Sequence, residues 1–113
     1  MILEVNIDRT TPATPIVKLS GRMTLGMRLR EVESRIDEAA GDGTVKLIFD
    51  LSGVNYADSA GLGLIMILYG KMKTVGGQLR VVAPSESVLE LFKRTCIDFI
   101  LTVDPDLATA LAA

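Results

Sequence analysis

The chain has 113 residues, 49% of them hydrophobic, which is enough for one compact core and leaves no room for a second domain. Its net charge of -2 and pI near 5.0 give no basic face for nucleic acid or for an anionic membrane surface. There is no histidine and Cys96 is the lone cysteine. Those two facts exclude a Ser-His-Asp triad, a Cys-His dyad, a His/Cys zinc site and an internal disulfide.

A single cysteine suits a reducing compartment. Met1 to Asp8 shows no basic stretch followed by an apolar core, so it does not read as a signal peptide. The longest apolar tract, Ala60 to Tyr69, is too short and too interrupted by glycine to span a bilayer. A cytoplasmic protein without membrane insertion and without a cofactor is expected.

Residues 2–8 (ILEVNID) alternate apolar Ile2, Leu3, Val5 and Ile7 with polar Glu4, Asn6 and Asp8, the pattern of a strand with one wet face. The two prolines of TTPATP mark a turn. IVKLSG reads as a second strand ending at Gly21, so the pair forms a hairpin. The period then changes: Leu25, Leu29, Val32, Ile36, Ala39 and Ala40 fall at spacings of three and four, predicting an amphipathic helix. Thr24 is its expected N-cap and Gly41 its stop. Its outer face carries Arg28, Glu31, Arg35 and Asp37, expected in water with weak mutual pairing.

TVKLIFDL predicts a strand buried on both faces, Val45–Phe49, ended by Asp50. Ser52 to Ala57 are expected as the loop into a helix that Gly76-Gly77 closes. QLRVVAP is another buried strand, stopped by Pro84. SESVLELFKRTC is a short helix opened by Ser85 or, with Glu90, by Ser87. DFILTV is a last short strand, and Asp104-Pro105 is expected to cap a final helix. The order ββαβαβαβα predicts a single α/β domain over residues 1–113. Its sheet is mixed and mostly parallel, of four to five strands, packed with about four helices.

Chemistry concentrates at DLSGVNYADSAGLGLIM, Asp50 to Met66. Sites in α/β sheets gather at the carboxyl ends of parallel strands. Ser59 falls at or beside the first turn of a helix, where unpaired N–H groups and a partial positive charge accommodate phosphate. Phosphorylation there adds nearly two negative charges, and adjacent Asp58 repels them. An Asp-Ser pair also opens many helices purely as an N-cap. Gly61 and Gly63 weaken a helix by roughly 1 kcal/mol each relative to alanine and permit close packing on the sheet. The GLG and GDG segments (the latter Gly41 to Gly43) lack the Lys-Ser/Thr ending of a nucleotide loop. GDG reads as a turn. A small enzyme built on Ser59 and Asp58 would lack a base, since Lys71 and Lys73 lie three turns down the helix.

LIFDLSGVNYADSAGLGLIMILYGKMKTVGGQLRVVAP closely resembles the centre of bacterial anti-sigma factor antagonists of the STAS domain family, in Asp50, Leu51, Val54, Tyr56, Asp58, Ser59, Ala60, Gly61 and Leu62. The likeness runs over nearly the whole chain. It implies a binding module rather than an enzyme. An anti-sigma factor that is also a serine kinase binds the unphosphorylated form, phosphorylates it with ATP and lets go, and a serine phosphatase resets it. By this resemblance Ser59 is the phosphoacceptor and Asp58 its flanking acid. Ala60, Gly61 and Leu62, with Arg22 and Thr24 of the loop after the second strand, complete the partner-binding set. Small Ala60 and Gly61 leave room for the kinase, and Leu64 or Ile67, if exposed, gives an apolar anchor, while Leu62, Ile65, Met66 and Tyr69 mostly face the core.

One departure stands out. Many members carry Gly-Glu-x-Asp where this chain has Gly21-Arg22-Met23-Thr24. Arg22 is then a candidate to pair with Asp58 or with a phosphate on Ser59. A second function fits the same resemblance: an unphosphorylated STAS scaffold, or a subunit of a signalling or lipid-transport complex. The exposed hairpin edge offers a route to a weak homodimer.

Overall fold

The computed structural model describes residues 2–41 and 43–113. Five strands form one sheet in sequential order β1-β2-β3-β4-β5. β1 (Glu4–Asp8) and β2 (Ile16–Met23) are the expected antiparallel hairpin. β3 (Lys46–Ala57), β4 (Gln78–Val82) and β5 (Thr102–Asp104) each add in parallel. The helices are α1 (Met27–Ala39), α2 (Ser59–Thr74), α3 (Glu86–Arg94) and α4 (Leu107–Ala112). The α/β class and the order ββαβαβαβα are as the sequence predicts.

The strand order explains which face carries the core. Strands are added in one direction, so crossovers of one hand place α1, α2 and α3 on the same side. Their apolar stripes (Leu29, Val32 and Ile36; Ile65 and Leu68; Val88 and Phe92) meet Val17, Leu19, Leu47, Phe49 and Val81. The opposite face buries Ile48, Val82 and Ala110, because α4 folds back over it after β5. β3 is therefore buried on both faces at Lys46–Phe49, whereas beyond Asp50 only Leu51, Val54 and Ala57 are buried.

Several boundaries differ from expectation. α1 starts at Met27 with Gly26 as N-cap and no side-chain cap, so Thr24 does not cap it. Leu25 lies outside the helix and is exposed. Of the outer charges, Arg28 pairs with Glu31 at 3.1 Å, and Asp37 pairs with Lys71 of α2 at 2.8 Å. The last strand begins only at Thr102, because Ile97–Phe99 turn into a 3-10 helix. Asp104 does not cap α4; Asp106 does, accepting from the Thr109 amide. Asp104 instead ends β5, where its carboxylate takes Arg80 at 2.7 and 2.9 Å. At α3 the cap is Ser85, whose hydroxyl accepts from the Val88 amide. The expected turn at Gly41–Gly43 contains Asp42, which lies outside the described residues.

The largest correction concerns Ser52 to Ala57. They are not a loop but the second half of β3. Lys18 opposes Asp50 while Ser20 opposes Gly53, and Gly21 opposes Val54 while Arg22 opposes Tyr56. Each step spends one extra residue on β3, which is the signature of a β-bulge. Asp50 Oδ1 accepts from the Ser52 amide at 3.0 Å and holds the first of them. Polar residues at bulges broke the alternation and mimicked a loop. β4 stops at the partner of Asp50, so Leu51–Ala57 run on beside β2 alone.

Candidate functional site

β3 ends at Ala57, and the chain enters α2 through Asp58. The Asp58 carboxylate organises the entry. Oδ1 accepts from the Ala60 and Gly61 amides at 2.9 and 3.0 Å, an N-cap of the kind aspartate favours. Oδ2 accepts from the Leu25 amide at 3.0 Å. One side chain thus closes the first turn of α2 and fastens the β2–α1 loop to it. The Asp58 amide donates to the Met23 carbonyl at 3.1 Å, a second tie between the same segments. Desolvation pushes the Asp58 pKa up, but the amides of Leu25, Gly61, Ala60 and Asp58 itself outweigh it and hold the pKa below the usual value.

Ser59 is the first residue of α2 and is exposed. It lines a groove of about 350 Å³ with Tyr56, Ala57 and Asp58 on one side and Ser87, Glu90, Leu91 and Arg94 of α3 on the other. The groove lies against the part of β3 that outruns β4. There α3 takes the place of a strand: Ser87 Oγ donates to the Asn55 carbonyl at 3.1 Å. Sequence reasoning named neither Glu90 nor Arg94 for this site, since only the fold brings α3 to Ser59.

The other expected residues divide. Ala60 is half-buried, whereas Gly61 and Leu62 are buried and face inward. The smallness of Gly61 serves packing: a Cβ there would sit 2.5 Å from the Met23 carbonyl oxygen. Arg22 does not pair with Asp58. Its guanidinium lies 4.4 Å from the centre of the Tyr56 ring, a cation–π contact across the β2–β3 register. Thr24 is half-buried in the loop. Leu64 is buried, and Ile67 is the exposed apolar residue of that pair, 50% accessible. Leu25 in the β2–α1 connection and Met27 at the start of α1 are exposed apolar residues, 74% and 78% accessible. Their signal was hidden because Leu25 continued the helical period.

The family model for the STAS domain matches residues 6–110. The chain belongs to the STAS domain family. Among curated relatives, an anti-sigma F factor antagonist of Lysinibacillus sphaericus is 24% identical over 92 residues, 80% of this chain and 78% of that protein. The STAS fold here superposes on an anti-sigma factor antagonist from Mycobacterium paratuberculosis with TM-score 0.82 at 24% identity, covering 97% and 92% of the two chains. The antagonist SpoIIAA matches in an unphosphorylated and a phosphorylated form, the latter described as a Bacillus cell fate determinant. Its unphosphorylated form gives TM-score 0.81 at 19% identity over 96% and 93% of the chains. Its phosphorylated form gives 0.76 at 18% over 96% and 97%. No helix among the described residues of this STAS domain is long and apolar enough to cross a membrane.

Proposed function

We propose that this STAS domain is a cytoplasmic anti-sigma factor antagonist switched by phosphorylation of Ser59. Unphosphorylated, it binds an anti-sigma factor that is also a serine kinase and so frees a sigma factor. The kinase moves the γ-phosphoryl of ATP to Ser59 Oγ, leaving ADP and a proton, and the modified protein lets go. A serine phosphatase returns the hydroxyl with water. The observation that carries this reading is the exposed hydroxyl of Ser59 on a helix start fixed by Asp58, at the mouth of a groove. Leu25, in the connection that Asp58 fastens, and Met27, which opens α1 just beyond it, offer apolar surface for the same partner.

The Asp58 carboxylate argues against catalysis by Ser59. It accepts three amide hydrogens and its pKa is lowered, so it is a weak base toward any hydroxyl. The relatives named as antagonists support the partner class, and the match to SpoIIAA in both states supports a switch that keeps the fold.

Phosphopeptide mass spectrometry of the protein from its own cells, across growth and stress, tests the reading. We expect a phosphate on Ser59 whose level changes, and a Ser59→Ala protein that retains a kinase partner which Ser59→Asp does not. An unmodified Ser59 in every condition, with Ser59→Asp still holding the partner, would overturn it and leave a constitutive scaffold.

A further inference from the structure

A phosphate on Ser59 meets a crowded helix start. The Ala60 and Gly61 amides already donate to Asp58 Oδ1, so two of the donors that a helix N-terminus ordinarily offers an anion are taken. The ionised Asp58 carboxylate adds repulsion next door. The new charge must find its counter-charge elsewhere.

Three charged side chains line the groove: Asp58, Glu90 and Arg94. Arg94 alone is cationic. It is the last residue of α3, one turn beyond Glu90, and Lys93 beside it does not line the groove. Among the described residues the Arg94 guanidinium has no hydrogen-bond or ion-pair partner. Its spacing from Glu90 suits an i,i+4 pair, yet no such pair forms. Arg22, the other arginine near the site, is committed to the Tyr56 ring.

We propose that Arg94 is the phosphate-reading residue of this STAS domain: when Ser59 is phosphorylated, its guanidinium pairs with the phosphoryl oxygens, and the pair fills the groove between α2 and α3. A planar guanidinium matches two phosphate oxygens at once. Phosphorylation then acts by occupying a cleft, and the backbone stays in place. This rests on reading Ser59 as the phosphoacceptor.

The test installs phosphoserine at position 59 during translation, so no kinase is required. A ³¹P NMR titration then reads the second phosphate pKa, near 6 when unperturbed. The expected result is a value lower in the otherwise unaltered protein than in Arg94→Gln by about half a unit, roughly a threefold change in proton affinity. The Arg94 Nε–Hε resonance should also move on phosphorylation, which a purely structural arginine would not show. Equal pKa values with an unmoved resonance would overturn the proposal. So would a shift that disappears in Arg22→Gln rather than in Arg94→Gln. Either failure leaves Ser59 standing as phosphoacceptor, whereas a Ser59 unmodified in cells would sink that reading and leave this titration as it was.

Discussion

At Asp58 one carboxylate serves two elements, accepting from α2 and from the β2–α1 connection. Asp58→Ala removes an N-cap, worth about 0.5–2 kcal/mol, and also frees the Leu25 amide. We expect a loss near the upper end of that range in urea denaturation. Its pH dependence has a definite sign. The folded pKa lies below the unfolded one, so the stabilisation is complete above the unfolded value of about 3.9. It fades as pH falls through the folded value. The gap between the native protein and Asp58→Ala should be widest near neutrality and close in acid. The sequence made the N-cap role of Asp58 legible, because Asp before Ser-Ala-Gly is a local signal. Its bond to Leu25 was not, because 33 residues separate the partners and no local pattern encodes their meeting.

Among the elements, β3 and α2 define the site jointly. The first turn of α2 rests on the end of β2 so closely that a Cβ at Gly61 would also come within 2.9 Å of Met23 Cβ. Gly61→Ala gains about 1 kcal/mol in helix propensity but forces a packed contact, at a cost of about 1–3 kcal/mol. The expected net effect is a destabilisation of about 1 kcal/mol, read by chemical denaturation. Gly63→Ala serves as control: nothing lies within 4 Å of a Cβ there, so it should stabilise. α2, an apolar run closed by Gly76-Gly77, and α3, opened by a serine cap, stand where the sequence predicts them. The second half of β3 was not predicted, since two bulges scramble the period-two alternation on which strand reading depends. Thr24 and Leu25 misled for a related reason: a polar residue followed by an apolar one imitates a helix start wherever the chain turns.

The whole molecule depends on α4 to cover the second face of the sheet. α4 is short and would not form alone. Lys46 secures it: buried in β3, its ammonium donates to the carbonyls of Ala110, Leu111 and Ala113 at 2.9, 3.3 and 2.6 Å. Those carbonyls end a helix and have no partner within it. Lys46→Met should cost about 1–3 kcal/mol and expose Ile48 and Val82. Hydrogen exchange should show α4 opening first, while the α2–α3 side keeps its protection. The parallel topology was visible in the alternation of strands and helices. The clamp was not, because a lysine in a hydrophobic strand carries no sign of which distant carbonyls it will meet.

The mismatch in length between β3 and β4 has a consequence for the shape of the groove beside Ser59. Leu51–Ala57 outrun β4 by roughly 20 Å at about 3.3 Å per residue, and the groove occupies the step this creates. The β4–α3 connection, Ala83 to Ser85, carries the chain from this step into α3. Lengthening or shortening that connection would raise or lower α3 like the movable jaw of a vice. Changing that loop would reshape the groove and leave the Asp58-capped start of α2 as it is.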